Sequence, residues 1–345
     1  MQRPTVLLLF GGESSEHDVS ISSARNVYAA IDNTKYQVEL GFIDRQGKWW
    51  LIDKFGQEVT SRDAAQLAPV LGTASFVTFP SSRVIMPDVI LPILHGKNGE
   101  DGAVQGLAQL LHIPVVGCDM TASAICMDKV ATKEILSSSG IKIVPYEVHH
   151  KMQELPDFSK LNMTLGCPLF VKPSRSGSSV GVSKVHTEDE LIQALETAHR
   201  HDEVALIERG ITAREIEVAI IGNPPYHEAS VAGEIQPDGE FYSYDSKYAG
   251  SSESKVIIPA DLTDDQHKTI QNLALRIYEL LGCKGLARVD FFLTPEGEIF
   301  LNEINTIPGF TNISMYPKLW QASGLTYPQL IEKLIHLALD IPSST

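Results

Sequence analysis

Residues 285–305 read Gly285-Leu286-Ala287-Arg288-Val289-Asp290-Phe291-Phe292-Leu293-Thr294-Pro295-Glu296-Gly297-Glu298-Ile299-Phe300-Leu301-Asn302-Glu303-Ile304-Asn305. Pro295-Glu296-Gly297 is a turn signal, so the stretch folds as two antiparallel strands. Side chains alternate along a strand. Ala287, Val289, Phe291 and Leu293 therefore share an apolar face that belongs in a core, and Arg288 and Asp290 emerge on the other side. On the returning strand Glu303 and Asn305 share a face while Ile304 points away. Counting back from the turn sets Asp290 opposite Glu303, to within about one residue of register. Two carboxylates, an amide oxygen and a guanidinium thus converge on one sheet face. Hard oxygen donors of this kind suit Mg²⁺ bridging phosphates rather than zinc. The plainer alternative is a solvated face of charge pairs, but facing carboxylates repel unless a cation separates them.

Around this hairpin lies a chain of 345 residues, 43% hydrophobic and 21% charged. That is enough for two or three domains with a sizeable core. Lys and Arg number 28 and Asp and Glu 43, a formal net charge of −15. Such a balance argues against a general nucleic-acid or anionic-membrane binder, yet permits a small anion in a local basic pocket. The apolar run Val6–Phe10 is too short to span a bilayer or to act as a signal segment. Cys118, Cys126, Cys167 and Cys283 are widely spaced, with no C-x-x-C pair. They read as reduced, mostly buried thiols of a cytoplasmic protein and not as a zinc site.

Towards the N-terminus, strand and helix patterns alternate. Val6–Phe10 is a buried strand ending in Gly11-Gly12, and a helix follows Ser14 or Ser15. Val38, Leu40 and Phe42 alternate as a strand, Val89–Leu94 is another, Leu107, Leu110 and Leu111 have helical spacing, and Val115-Val116 is a short strand. This order implies an open parallel sheet with functional loops at the carboxyl ends of its strands. A second region begins near Thr121, with Asp128, Lys129 and Lys133 in a helix that ends at Ser137-Ser138-Ser139-Gly140. A strand at Leu169–Val171, a capping box at Thr187 and Glu190, and a strand at Val204–Glu208 follow. Then come a strand at Glu215–Ile221, a second capping box at Thr263 and Gln266 opening a helix, the hairpin, and a closing helix after Pro328.

Several loops carry chemistry. Lys172-Pro173-Ser174-Arg175-Ser176-Gly177-Ser178-Ser179-Val180-Gly181 leaves a strand and offers hydroxyls and backbone N–H groups to phosphates, or serves as a plain linker. It is not a Walker loop, and no dinucleotide G-x-G-x-x-G follows Phe10, which removes a dehydrogenase reading. Lys129 and Lys172 are candidate phosphate counter-charges; Glu208 and Glu215 are candidate acceptors from a ribose. Taken singly, each also reads as a surface charge. Glu16 either complements a helix dipole or grips a substrate ammonium. His95-Gly96-Lys97-Asn98-Gly99-Glu100-Asp101-Gly102 is a second strand-end loop, its three glycines suiting a tight turn. Phe241 to Ser252, aromatic and tipped with Gly and Ser, has the composition of a lid or of an ordinary long surface loop.

Together these segments resemble the D-alanine–D-alanine ligases of the ATP-grasp superfamily over nearly the whole chain. The blocks carrying the resemblance are FGGESSEHDVS, HGKNGEDGAVQG, MDK, VKPSRSGSSVGVSKV, EFYSYDSKY, GCKGLARVDFF and NEINTIPGFTNISMYPKLW. The resemblance implies a three-domain ATP-grasp architecture: an N-terminal α/β domain with an open parallel sheet (1–122), a central subdomain (123–210) and a C-terminal subdomain with metal site and lid (211–345). It implies ATP-dependent joining of two D-alanines through an acyl phosphate, for peptidoglycan precursor synthesis. Asp290, Glu303 and Asn305 would hold two Mg²⁺ or Mn²⁺ ions. Lys129, Lys172, Ser178 and Lys247 would contact phosphates or order the loop over them. Glu208, Arg209, Ile211 and Glu215 would line the adenosine pocket; Arg209 stands where many relatives have Lys. Glu16, supported by Ser178, Tyr248 and His95, would bind the first D-alanine. Arg288 with the Gly309 backbone would stabilise the oxyanion, and Ser314 and Met315 would bound the second D-alanine. A homodimer in the cytoplasm, free of nucleic acid and membrane, is the implied setting. The alternatives are a D-alanine–D-lactate or D-alanine–D-serine ligase of the same family, separated by the lid sequence, and a non-catalytic nucleotide-binding module.

Overall fold

The structure, a computed structural model, describes residues 3–57, 65–236 and 255–340. The expected lid, with Lys247 and Tyr248, lies outside the described residues.

Three sheets organise the chain. In the first, Thr5–Gly11 pairs in parallel with Gln37–Ile43 on one side and Val89–Ile93 on the other. This is the open parallel sheet expected from the sequence, and Val115 adds a single parallel bridge at Ile90. Strands Trp49–Ile52, Ala65–Val70, Ser75–Phe79 and Val84–Ile85 extend it as antiparallel neighbours. Both faces of Thr5–Gly11 are buried. Leu8 and Phe10 pack with Val27 of helix His17–Ala30, whereas Leu7 and Leu9 pack with Val104 and Ala108 of helix Ala103–Leu110. Burial on both faces explains why the strand is continuously apolar. Leu107 and Leu111 join that core, but Leu110 turns outward and is 60% exposed.

The second sheet is antiparallel, ordered Ser183–Val185, Leu169–Pro173, Val204–Arg209, Tyr146–His150. Helices Phe158–Leu165 and Glu188–Ala198 cover it. Thr187 accepts from the Glu190 N–H, but the Glu190 carboxylate accepts from the His186 N–H, so only half of the expected capping box forms.

The third sheet, also antiparallel, runs Lys255–Ile257, Tyr226–Gln236, Arg214–Asn223, Leu286–Leu293, Ile299–Asn305. On one face Val218, Ile220, Val289 and Phe291 pack under helix Asp264–Leu280, whose Thr263–Gln266 capping box forms as expected. Ala122, Cys126 and Leu136, from helices Met120–Met127 and Lys129–Ser138, belong to that same core. On the other face Ala219, Ile221 and Leu286 join Met315, Tyr316 and Leu334 of the last two helices and the N-terminal core. Phe292, Asn302 and Glu303 of this sheet share a cavity with Phe170, Lys172 and Glu208 of the central sheet. Among the described residues, no helix is long and apolar enough to cross a membrane.

Candidate active site

The register places Asp290 directly opposite Glu303, and Arg288 opposite Asn305. The apolar alternation predicted for Ala287, Val289, Phe291 and Leu293 holds, each being at most 2% exposed. A bulge lies between the Asp290–Glu303 and Phe291–Leu301 pairs, leaving Asn302 as the extra residue. Leu301 and Ile304 therefore both reach the core although three positions apart, and Asn302 turns towards the site cavity beside Glu303. The Arg288 guanidinium donates from Nε to Asp290 Oδ1 (2.8 Å) and from Nη2 to Oδ2 (2.7 Å). Asn305 Nδ2 donates to Asp290 Oδ2 at 2.9 Å. Glu217, directly opposite Asp290 on the neighbouring strand, brings Oε2 within 2.8 Å of Arg288 Nε. Burial works against the Arg288 charge, but Asp290 and Glu217 outweigh it and hold the guanidinium firmly protonated.

Beside this face stands a group of lysines gathered on a buried glutamate. Glu208, 4% exposed, takes Lys172 Nζ at 2.5 Å and Lys133 Nζ at 2.8 Å. Burial alone would raise its pKa; the two lysines override that and hold it below the usual carboxylate range. Lys129 Nζ donates to the Ser176 carbonyl at 2.7 Å and lies 3.6 Å from Glu303. Desolvation pulls Lys129 and Lys133 below the ordinary lysine pKa. Three ammonium groups, one buried and two half-buried, converge here with the carboxylates of Glu208 and Glu303.

The glycine-rich loop is anchored at its start. Asp128 caps helix Lys129–Ser138 and accepts from Ser174 Oγ at 2.7 Å. Arg175 is fixed by three hydrogen bonds to Asp202. Beyond the anchor, Ser178 and Ser179 take left-handed φ of 51° and 59°, a conformation side chains adopt at a cost. There the Ser178 hydroxyl donates to Glu16 Oε1 at 2.5 Å. Gly177 is a neighbour of the same carboxylate: a Cβ there would sit in ordinary contact, 3.4 Å from Glu16 Oε2.

Between the loop and the third sheet lies a cavity of about 360 Å³, within the range of small-ligand sites. Lys129, Lys172, Glu208 and Glu303 line its polar end; Phe170, Val180, Ile211 and Phe292 supply apolar walls, with Arg209 and Glu215 at its border. Arg209 Nε donates to the Leu165 carbonyl at 2.7 Å.

His95 is 4% exposed. Its Nδ1 lies 3.0 Å from the Ile307 carbonyl, and Nε2 lies 3.3 Å from Ser23 Oγ. The carbonyl only accepts, so Nδ1 carries the proton. Burial pulls the His95 pKa down. Glu100, which accepts from the Gly96 N–H at 2.6 Å, is pushed up to about 8 by burial and the neighbouring Glu16. A Cβ at Gly309 would meet Ser314 Oγ at 2.9 Å, so the Ser314 hydroxyl would have to move to admit a side chain there. Ser314 Oγ in turn accepts from the Thr311 N–H at 3.1 Å.

A family described as "D-ala D-ala ligase N-terminus" matches residues 5–118, and one described as "D-ala D-ala ligase C-terminus" matches residues 135–336. The chain belongs to the D-alanine–D-alanine ligase family. It is 44% identical to D-alanine–D-alanine ligase A of Escherichia coli over 353 residues, covering 99% of this chain and 97% of that protein. The D-alanine–D-alanine ligase structure from Coxiella burnetii superposes with a TM-score of 0.88 at 37% identity, covering 99% and 95% of the two chains. The VanG D-Ala:D-Ser ligase structure from Enterococcus faecalis gives 0.89 at 36% identity, covering 98% and 100%.

Of the residues that the family resemblance pointed to, the fold gathers Glu16 with Ser178, Lys129 and Lys172 with Glu208 and Glu303, and Arg288 with Asp290 and Asn305. Glu208 directs both oxygens at lysines. The Met315 side chain is buried in the core that the N-terminal sheet shares with the last two helices. Three residues of the site were given no role in the sequence reading. Lys133 follows Lys129 by one helical turn and shares its face. Glu217 alternates with Ile216 and Val218, which was a readable signal for the face of Glu215. Glu100 had none, because its raised pKa depends on a neighbour 84 positions away.

Proposed function

We propose that this chain joins two D-alanine molecules at the expense of ATP, forming D-alanyl-D-alanine, ADP and phosphate as a cytoplasmic step towards peptidoglycan. The observation that carries the reading is the adjacency, in one cleft, of the lysine group, the Asp290–Glu303–Asn305 face and the Glu16–Ser178 contact. Lys129 and Lys172 neutralise the ATP phosphates, and Ile211 and Phe292 flank the adenine in the cavity. The Glu16 carboxylate receives the ammonium of the first D-alanine, with Ser178 fixing its rotamer. The carboxylate of that D-alanine attacks the terminal phosphoryl group, giving an acyl phosphate and ADP. The amine of a second D-alanine, bounded by Ser314 and Met315, then attacks the acyl carbon, and phosphate leaves. Arg288 and the Gly309 N–H stabilise the oxyanion at that carbon. Positioning and charge neutralisation dominate such phosphoryl transfers.

Two Mg²⁺ or Mn²⁺ ions fit this face. Among the described residues no three His, Cys, Asp or Glu side chains converge as a self-sufficient metal cluster. Two carboxylates and one amide oxygen are nonetheless the donor set of a cation completed by substrate phosphates. Asp290, Glu303 and Asn305 would hold the ions, which supply charge neutralisation of the phosphates. Pairing of two such chains as a homodimer is part of the same proposal.

A D-alanine–D-serine ligase is the second reading, favoured by the likeness to the VanG structure. One experiment separates them: ADP release with ATP and Mg²⁺ on supplying D-alanine alone, D-alanine with D-serine or D-lactate, or L-alanine, with the product mass determined. D-alanyl-D-alanine from D-alanine alone is the expected result. Preferential mixed product moves the assignment to the second reading, and equal turnover of L-alanine, or none with D-alanine, refutes the assignment.

A further inference from the structure

We infer that Glu217 is a positioning residue for Arg288: it holds the guanidinium in place when Asp290 is drawn to a divalent cation. The inference rests on the ligase reading above and adds a residue to it. Glu217, Asp290 and Glu303 are Cα partners on three adjacent strands, forming a row of carboxylates across the sheet. Such a row repels itself unless cations lie within it. Glu217 and Asp290 are 5% and 7% exposed, so water offers them little relief.

Arg288 is the cation that these two share. Its Nε lies 2.8 Å from Asp290 Oδ1 and 2.8 Å from Glu217 Oε2. The residue opposite Arg288 on the Glu217 strand is Ala219, whose small side chain leaves room for the guanidinium to reach along the strand.

Asp290 answers two claims, one from Arg288 and Asn305, the other from the cation that its face is suited to hold. As its oxygens engage a dication, their hold on Arg288 weakens. Glu217 lies outside the hairpin and keeps its charge beside the guanidinium. Without that charge Arg288 would lean more heavily on Asp290 and compete with the cation for it. Glu217 thereby serves oxyanion stabilisation and cation binding, both through Arg288.

The test measures Mn²⁺ binding in the presence of ADP by electron paramagnetic resonance, together with kcat and KM, for Glu217→Gln, Arg288→Met and the double variant. Glu217→Gln is expected to weaken Mn²⁺ binding by about tenfold and to lower kcat by about 10²-fold, leaving KM for ATP nearly unchanged. In the Arg288→Met background the same substitution is expected to change Mn²⁺ binding little, because its effect runs through the guanidinium. Equal weakening in both backgrounds makes Glu217 act on the cation directly and overturns the proposal, as do wild-type kcat and Mn²⁺ affinity in Glu217→Gln. If Glu217→Gln does not fold, Glu217→Asp decides: it keeps the charge but shortens its reach, so Mn²⁺ binding stays close to wild type while kcat falls about tenfold, and an unchanged kcat refutes the inference. Wild-type protein that binds Mn²⁺ with ADP yet turns over no D-alanine would sink the ligase reading, and the Mn²⁺ comparison would still judge Glu217.

Discussion

Ser178 Oγ donates to Glu16 Oε1 at 2.5 Å, joining the glycine-rich loop to the start of the first helix across 162 positions of sequence. The contact connects the proposed phosphate site to the proposed ammonium site. It also fixes the Glu16 rotamer from a residue whose own φ is left-handed.

Ser178→Ala removes that donor. A hydrogen bond to a charged group contributes roughly 1.5–3 kcal/mol, so KM for the first D-alanine should rise by about tenfold or more while KM for ATP changes less. Steady-state kinetics with each substrate varied in turn checks this. Equal rises in both constants would mean that the loop as a whole is displaced, against the specific Glu16 role.

Glu303→Gln keeps the shape opposite Asp290 but removes one charge from the proposed metal face. Electrostatic contributions of this kind are commonly worth about 10²–10³ in rate. Folding should survive, and the metal-free protein should gain slightly in stability from reduced repulsion. Glu296→Gln, in the turn, is the control. ADP formation and thermal melting with and without Mg²⁺ are the measurements; near-wild-type activity of Glu303→Gln rules out this metal site.

Lys133→Met leaves buried Glu208 with Lys172 but without its second cation. Breaking a buried ion pair from one side costs about 3 kcal/mol or more. Denaturant unfolding should show that loss, and Lys133→Met combined with Glu208→Gln should recover part of it. Additive losses would show that the two side chains are energetically independent.

Glu100 supplies a pH dependence of known sign. Its folded pKa of about 8 lies above the ordinary value of 4.5. The folded state therefore holds the proton more tightly, and the resulting stability is complete below about pH 4.5 and lost as pH rises through 8. Between pH 6 and 9 the melting temperature of ligand-free wild type should fall by a few degrees more than that of Glu100→Gln. Parallel curves would place the titration elsewhere.

Much of the third sheet was legible in the sequence. Period-two alternation over Leu286–Leu293 fixed which side chains are core, and the Pro295-Glu296-Gly297 turn set the register to within one residue, the bulge moving the partner of Asp290 from Asn302 to Glu303. Both are local properties, set by strand geometry and a short loop. The continuous apolar run Val6–Phe10 likewise announced a strand covered on both faces. The bulge at Asn302 was hidden, because one inserted residue leaves no trace in composition. What the tertiary structure alone decided are the encounters between distant segments. Glu16 meets Ser178, Glu208 lies between Lys133 and Lys172, and Glu217 shares Arg288 with Asp290. Each depends on how sheets and loops from separate parts of the chain pack together. Periodicity tells which face a residue occupies, but only packing determines what that face meets, and burial then sets the charge state of the groups found there.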